Sequence, residues 1–367
     1  MNIPYINLAL QHQNLKHELL AAAEKTLMSG QFILGDEVKK FEEQFAKLAG
    51  AKYAVGVDNG TDALIFAMKA LGVGKGDEVI TAPNSFLASA SSIALAGAKI
   101  VFADVREDFN LDPAKVEKAI TKRTKAVIAV HLTGRPADMD ALLKICKKKK
   151  IQLIEDCAQA VGAEYNGKRV GSLGVIGCFS LHPLKNLSAA GDGGVLTTSS
   201  EKIYNWLMRA RNHGLKNRDE CDFWSVNSRL DNLQAALLNV KMDYIERWTN
   251  RRREIAALYH SKLKNLDMIV PHDKENEKAV YHTFIIQTKH RNKLKFFLAG
   301  NGVDTKVHYP IPIHFQKAAK HLGYKKGSFP VTEKQSKTIL SLPVYPELTD
   351  EQVLFVCEKI NEFYSQK

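Results

Sequence analysis

The amino-acid sequence predicts an α/β protein. A large domain over residues 1–248 is built on a mostly parallel seven-stranded sheet, and a smaller α+β domain covers residues 249–367. Three observations carry this expectation. Between Lys52 and Thr198 short apolar runs alternate with segments of helical period, the pattern of βαβ units covered on both faces. A helical pattern without Gly or Pro starts at Leu230 and runs past Leu258, as a link between two domains would. Beyond it, strand-like and helix-like segments mix.

The expected strands are Tyr53–Val57, Glu78–Ala82, Lys99–Ala103, Ala126–Val130, Ile151–Glu155, Ile176–Ser180 and Gly194–Thr198, each bounded by Gly, Pro or Asp. Thr61–Ala70 and Met139–Lys148 space their apolar residues near 3.6 and read as helices on the sheet. The last two strands are joined by a short Gly-rich connection, which allows part of the sheet to pair antiparallel. The C-terminal part is expected to hold strands Thr283–Thr288 and Asp304–Val307 and helices Arg291–Leu298 and Asp350–Phe363. Lys147-Lys148-Lys149-Lys150 reads as the solvated end of a helix.

Composition bounds the function. With 45% hydrophobic and 25% charged residues the chain is neither disordered nor fibrous. No apolar run approaches the roughly 18 residues of a membrane span. The N-terminus, MNIPYINLALQHQ, has no basic stretch followed by an apolar one and reads as no signal peptide. Five cysteines lie scattered without metal-ligand spacing, as reduced thiols of a cytoplasmic protein do. The twelve histidines form no paired metal-binding motif, so no metal is expected. A net charge of +12 is not gathered into one segment, which argues against nucleic acid and suits a small anionic substrate.

The chemistry gathers at strand ends, where open α/β sheets hold ligands. Leu153-Ile154-Glu155-Asp156 places a carboxylate at the end of an apolar strand, and about thirty residues on come Ser180 and Lys185, followed by Gly191-Asp192-Gly193-Gly194. That is what a pyridoxal phosphate enzyme needs: an amine to bond the aldehyde, and a carboxylate to keep the pyridine nitrogen protonated. Asn59-Gly60-Thr61 opens a helix and suits a phosphate, though alone it reads as a plain helix cap. Phe86 fits a ring that stacks on the cofactor, or a core residue.

Taken together, SGQFILGDEVKKFEEQFAKLAG, NGTDAL, EDCAQA, SLHPLKNLSAAGDGG, NSRLDNLQAALL, HYPIPIHFQ and SLPVYPEL resemble the nucleotide-sugar aminotransferases over nearly the whole chain. These are fold-type I pyridoxal 5′-phosphate enzymes, like aspartate aminotransferase. The resemblance implies that Lys185 is the Schiff-base lysine and proton shuttle, and that Asp156 partners the pyridine nitrogen. It implies that Gln159 and Phe86 lie at the ring, and that Gly60, Thr61 and Ser180 contact the phosphate. Asn227 would reach the phosphate from the neighbouring subunit of a homodimer with shared active sites. His308, Tyr309 and His314 would stand near the nucleotide-sugar substrate. L-Glutamate would donate the amino group, and the turn Lys185–Gly194 resembles members that aminate C3 more than those that aminate C4. A sugar dehydratase would carry His in place of Lys185, and a non-catalytic regulatory relative would tolerate loss of Lys185 or Asp156. Two departures, His131-Leu132-Thr133-Gly134 and Ser225, bear on sugar specificity rather than on the reaction.

Overall fold

The computed structural model describes residues 1–366. Its main sheet has seven strands: β1 (Tyr53–Val57), β2 (Glu78–Thr81), β3 (Lys99–Phe102), β4 (Thr124–Val130), β5 (Gln152–Asp156), β6 (Ile176–Ser180) and β7 (Gly194–Thr198), ordered β1-β7-β6-β5-β4-β2-β3. Only β7 runs against its neighbours, pairing antiparallel with both β1 and β6. The antiparallel pairing expected at the Gly-rich connection is therefore this one strand. The parallel strands read as continuous apolar runs because helices cover both faces. The helix Gly60–Ala70, for example, buries Ala63, Leu64, Phe66, Ala67 and Met68.

Strand reversal at β7 positions the site. The carboxyl ends of β1, β5 and β6 share one edge with the start of β7, and Gly194 pairs with both Val57 and Ser180. A Cβ on Gly194 would stand 2.4 Å from the Asn59 carbonyl carbon, so a glycine is required where the loop after β1 crosses β7.

Residues 230–263 differ from the expected single helix. The chain forms Asn232–Met242 and then Ile245–Leu263, broken at Asp243-Tyr244. The first packs beside Asp36–Ala49 in a core with Phe41, Phe45 and Leu238. The second presents Ile255, Ala256, Tyr259 and Leu263 to the C-terminal core. The second helix also buries Ile245 and Trp248 in the first helix's core, so it spans both cores from the break onward. The expected strand Asp304–Val307 is absent. Val303 and Lys306 instead make single bridges, to Ile3 and Ser341 respectively. The strand that pairs with β8 (Phe284–Gln287) is β9 (Ile339–Leu342), antiparallel to it. The helices Arg291–Gly300 and Asp350–Ser365 pack against each other in the C-terminal part. Lys147 to Lys150 are all exposed at the end of the helix Met139–Lys149, where cations meet the negative helix terminus. Among the described residues, no helix is long and apolar enough to cross a membrane.

Candidate active site

A cavity of about 450 Å³ opens at the carboxyl edge of the sheet, and Gly60, Thr61, Phe86, Asp156, Gln159, Ser180, Lys185, His308 and Tyr309 all line it. Asn227 and His314 do not. Asn227 lies exposed in a loop, bridged to Asn212. His314 is enclosed between Phe315 and Phe329, with Nε2 3.3 Å from Glu333.

One end of the cavity is an anion cradle. Asn59 caps the helix Gly60–Ala70 by accepting from the Asp62 N–H at 2.8 Å. The N–H groups of Gly60 and Thr61 belong to the unpaired first turn of that helix, whose positive end faces the cavity. A Cβ on Gly60 would come within 2.7 Å of Ser180 Cβ. Only glycine lets the serine hydroxyl stand beside those N–H groups.

At the middle lie Asp156 and Lys185. Asp156 ends β5 and is only 4% exposed. Its Oδ2 accepts from Ser89 Oγ at 2.7 Å and its Oδ1 from the Ala158 N–H at 3.1 Å, while Ser89 Oγ lies 2.8 Å from Ser85 Oγ. No cation bonds this carboxylate among the described residues, so it retains acceptor capacity toward the cavity. Lys185 follows β6 in a turn closed by its own N–H donating to the His182 carbonyl at 2.8 Å. Burial brings its pKa down from 10.5 to about 8, with Asp156 opposing the fall.

Gln159 is aimed by its surroundings. The Thr133 N–H donates to its Oε1 at 2.7 Å, which leaves Nε2 to reach the Tyr309 hydroxyl at 3.5 Å. Phe86 is 53% exposed and tilts toward Tyr309, with ring centroids 5.8 Å apart. An aromatic that exposed on a cavity wall awaits a stacking partner. His308 Nδ1 lies 2.9 Å from Ser341 Oγ, and burial lowers its pKa to about 4, with Lys185 and Lys306 adding to the fall. Burial pushes the Tyr309 hydroxyl up to about 12.

Among the cavity residues that sequence reasoning missed are Ser89, His282, Thr283, Arg252 and Tyr5. Arg252 carried a signal. It stands between two other arginines, yet falls on the buried stripe Trp248, Arg252, Ile255, Tyr259 of its helix. A cation on an apolar stripe is a site residue or a clamp. Ser89 and His282 carried none, since their roles depend on partners far along the chain.

A second polar cluster, His131, Glu155 and Cys157, is a strut rather than a reactive centre. His131 Nδ1 accepts from the Ala137 N–H, so its Nε2–H donates to Glu155 at 3.0 Å. Glu155 also accepts from the N–H groups of Gly171, Leu173 and Gly174. Its oxygens are occupied, and the ring has no free lone pair for a metal.

The residues present fit pyridoxal phosphate. The cradle would be filled by any Cβ at position 60, and among the described residues neither the buried Asp156 carboxylate nor the buried Lys185 amine makes a direct ion pair, each acting on the other only from longer range.

Comparison with known proteins agrees with that chemistry. The model of the DegT/DnrJ/EryC1/StrS aminotransferase family matches residues 13–361. A pleiotropic regulatory protein of Geobacillus stearothermophilus is 45% identical over 368 residues, covering 99% of each chain. A dTDP-3-amino-3,6-dideoxy-alpha-D-galactopyranose transaminase of Aneurinibacillus thermoaerophilus is 42% identical, over 98% of this chain and 99% of that one. The solved structure of S. venezuelae DesV in complex with a ketimine intermediate is 38% identical, with a TM-score of 0.97 over 99% of this chain and 98% of that one. Likeness of this extent, in sequence and in fold, shows that the chain belongs to the DegT/DnrJ/EryC1/StrS aminotransferase family and is a pyridoxal-phosphate-dependent nucleotide-sugar aminotransferase.

Proposed function

We propose that the protein transfers the amino group of L-glutamate to the C3 keto group of a nucleotide-linked hexose, as a cytoplasmic homodimer with shared active sites. Lys185 carries the reading: a buried amine in the same cavity as Asp156, with its pKa brought down toward neutrality. Bound pyridoxal phosphate supplies an electron sink for negative charge at the substrate carbon and holds the amino group between the two substrates.

The chain's own residues do the rest. The Gly60 and Thr61 N–H groups and the Ser180 hydroxyl hold the phosphate. Asp156 accepts the pyridine N–H and is itself held by Ser89. Phe86 and Gln159 flank the ring. Lys185 Nζ takes the proton from the carbon bearing the donor's amine and delivers one to the sugar carbon, and a pKa near 8 suits both directions at neutral pH. His308 and Tyr309 face the sugar; burial keeps His308 neutral, so it exchanges hydrogen bonds without adding charge. Asn227, exposed and away from this chain's own cavity, reaches the phosphate of the neighbouring subunit. The enclosed His314 has no part in this reading.

Amination at C3 draws support from the turn Lys185–Gly194 and from the 42% identical relative, whose name describes a 3-amino sugar. The five free cysteines support a reducing compartment. The test is product analysis by NMR after incubation with L-glutamate and a panel of 3-keto and 4-keto nucleotide sugars. An amine at C3 is expected. An amine at C4, with the 3-keto compounds untouched, would overturn the assignment.

A further inference from the structure

Folding gathers the positive charge of this chain at one edge. The parallel strands β2, β3, β4 and β5 begin side by side: Glu78 pairs with Lys99 and Thr124, and Ala126 with Gln152. Four short segments lead into those starts, residues 69–78, 97–99, 117–125 and 144–152. Together they hold twelve lysines and arginines against three carboxylates, a surplus of nine in a chain whose net charge is +12. All twelve cations are exposed. The helix Pro113–Ala119 packs on Met139–Lys149, which brings the two most basic segments together.

Little of this charge is answered within the chain. Lys99 and Arg123 share the buried Glu78, and Lys148 reaches Glu117 at 3.3 Å. The third carboxylate, Asp77, accepts from the Gly74 N–H at 3.0 Å. The other nine cations make no ion pair among the described residues. Like charges crowded in this way repel one another and weaken the fold unless an anionic partner offsets them.

The substrate is not that partner. The cavity lies at the carboxyl ends of the strands and the cations at the amino ends. β4 runs seven residues, from Thr124 at the basic edge to Val130 on the cavity wall. That length is about 20 Å, roughly twice the screening length at about 0.1 M salt.

Residue types choose among macromolecules. Eleven of the twelve cations are lysine, and the four segments contain no Phe, Tyr or Trp. Nucleic-acid recognition draws on arginine forks and on aromatic faces that stack with bases. A lysine surface with neither is a diffuse positive field, the kind that anionic phospholipid head groups attract. Leu95, 66% exposed where the helix Leu87–Leu95 ends before Lys99, adds an apolar side chain at the same edge.

We propose that the amino edge of the main sheet is a docking surface for an anionic phospholipid bilayer, on which the protein rests reversibly with its catalytic cavity turned to solution.

The test follows the full-length, pyridoxal-phosphate-loaded protein as it sediments with vesicles of phosphatidylcholine, either alone or with about one third phosphatidylglycerol. Binding is expected on the anionic vesicles only. It should fade as salt rises from about 0.1 M to about 1 M, where the screening length falls to about 3 Å. Two variants separate the edge from net charge. One carries Lys122→Gln, Lys147→Gln, Lys149→Gln and Lys150→Gln. The other carries Lys293→Gln, Lys295→Gln, Lys325→Gln and Lys326→Gln, which replace exposed lysines of the C-terminal part. The first should lose about tenfold or more in vesicle partition and the second no more than about twofold, with transamination in solution unchanged in both. No sedimentation with anionic vesicles overturns the proposal. So does equal loss in the two variants, which would show a response to net charge alone. Single-stranded RNA that binds more tightly than the vesicles and strips the protein from them would make the edge a nucleic-acid surface, and it overturns the proposal as well.

Discussion

Replacing Lys185 by Met should make the cofactor-free protein more stable. Burial brings the Lys185 pKa from 10.5 down to about 8, and a shift of that size corresponds to roughly 3 kcal/mol. The sign follows from where the proton sits. Below pH 8 the amine is charged in both folded and unfolded chains, and the full cost of burying the charge falls on the fold. Between pH 8 and 10.5 the folded protein has released the proton and the unfolded chain still holds it, so wild-type stability climbs with pH. Above 10.5 the cost is gone. Met fills a similar volume without a charge, and Asp156 keeps its bonds to Ser89 and Ala158. Urea unfolding at matched protein concentration should therefore find Lys185→Met more stable by up to roughly 3 kcal/mol at pH 7, with the gap shrinking to about 1 kcal/mol by pH 9.5. Lys241 has its own pKa brought down to about 8 by burial, but it is present in both proteins and cancels in the difference. A variant no more stable than wild type at pH 7, or a gap indifferent to pH, would refute the reasoning.

Three further outcomes are expected. Gly60→Ala drives a Cβ to 2.7 Å from Ser180 Cβ, so it should cost about 1–3 kcal/mol of stability and raise the Kd for pyridoxal phosphate at least about tenfold; an unchanged Kd by absorbance titration would show that the phosphate sits elsewhere. Ser89→Ala removes the hydroxyl that donates to Asp156 at 2.7 Å and should weaken cofactor binding by about tenfold while circular dichroism stays unchanged; full affinity would mean Asp156 needs no support. Mixed Asn227→Ala and Lys185→Ala subunits, each inactive alone, should regain part of the activity through hybrid sites, and no recovery despite proven subunit exchange would contradict a site shared between subunits.

Much of the fold was legible because its signals are local. The short apolar runs sit within two residues of the observed strands, since a sheet covered on both faces needs them. What was illegible depends on distant partners. Nothing near Asp243-Tyr244 breaks a helix by propensity; beyond the break the second segment carries the chain from the core that holds Leu238, Ile245 and Trp248 to the C-terminal core at Ile255 and Tyr259, which only distant partners define. Val303 and Lys306 divide their pairing between Ile3 and Ser341, which no local alternation reveals. The same division holds in the cavity. Asp156, Ser180 and Lys185 stand at strand ends and were readable. Ser89 matters because its hydroxyl meets a carboxylate 67 positions on, and Tyr5 because the N-terminal segment crosses the cavity wall.

The central claim is that Lys185 carries the cofactor in a cavity built by Gly60, Asp156 and Ser180. Borohydride reduction of the purified, pyridoxal-phosphate-loaded protein, followed by proteolysis and mass spectrometry, tests it most directly. The account predicts the phosphopyridoxyl mass on the peptide containing Lys185, and no labelling of Lys241 despite its similarly depressed pKa. Labelling at another lysine, with Lys185→Ala still transaminating, would contradict it.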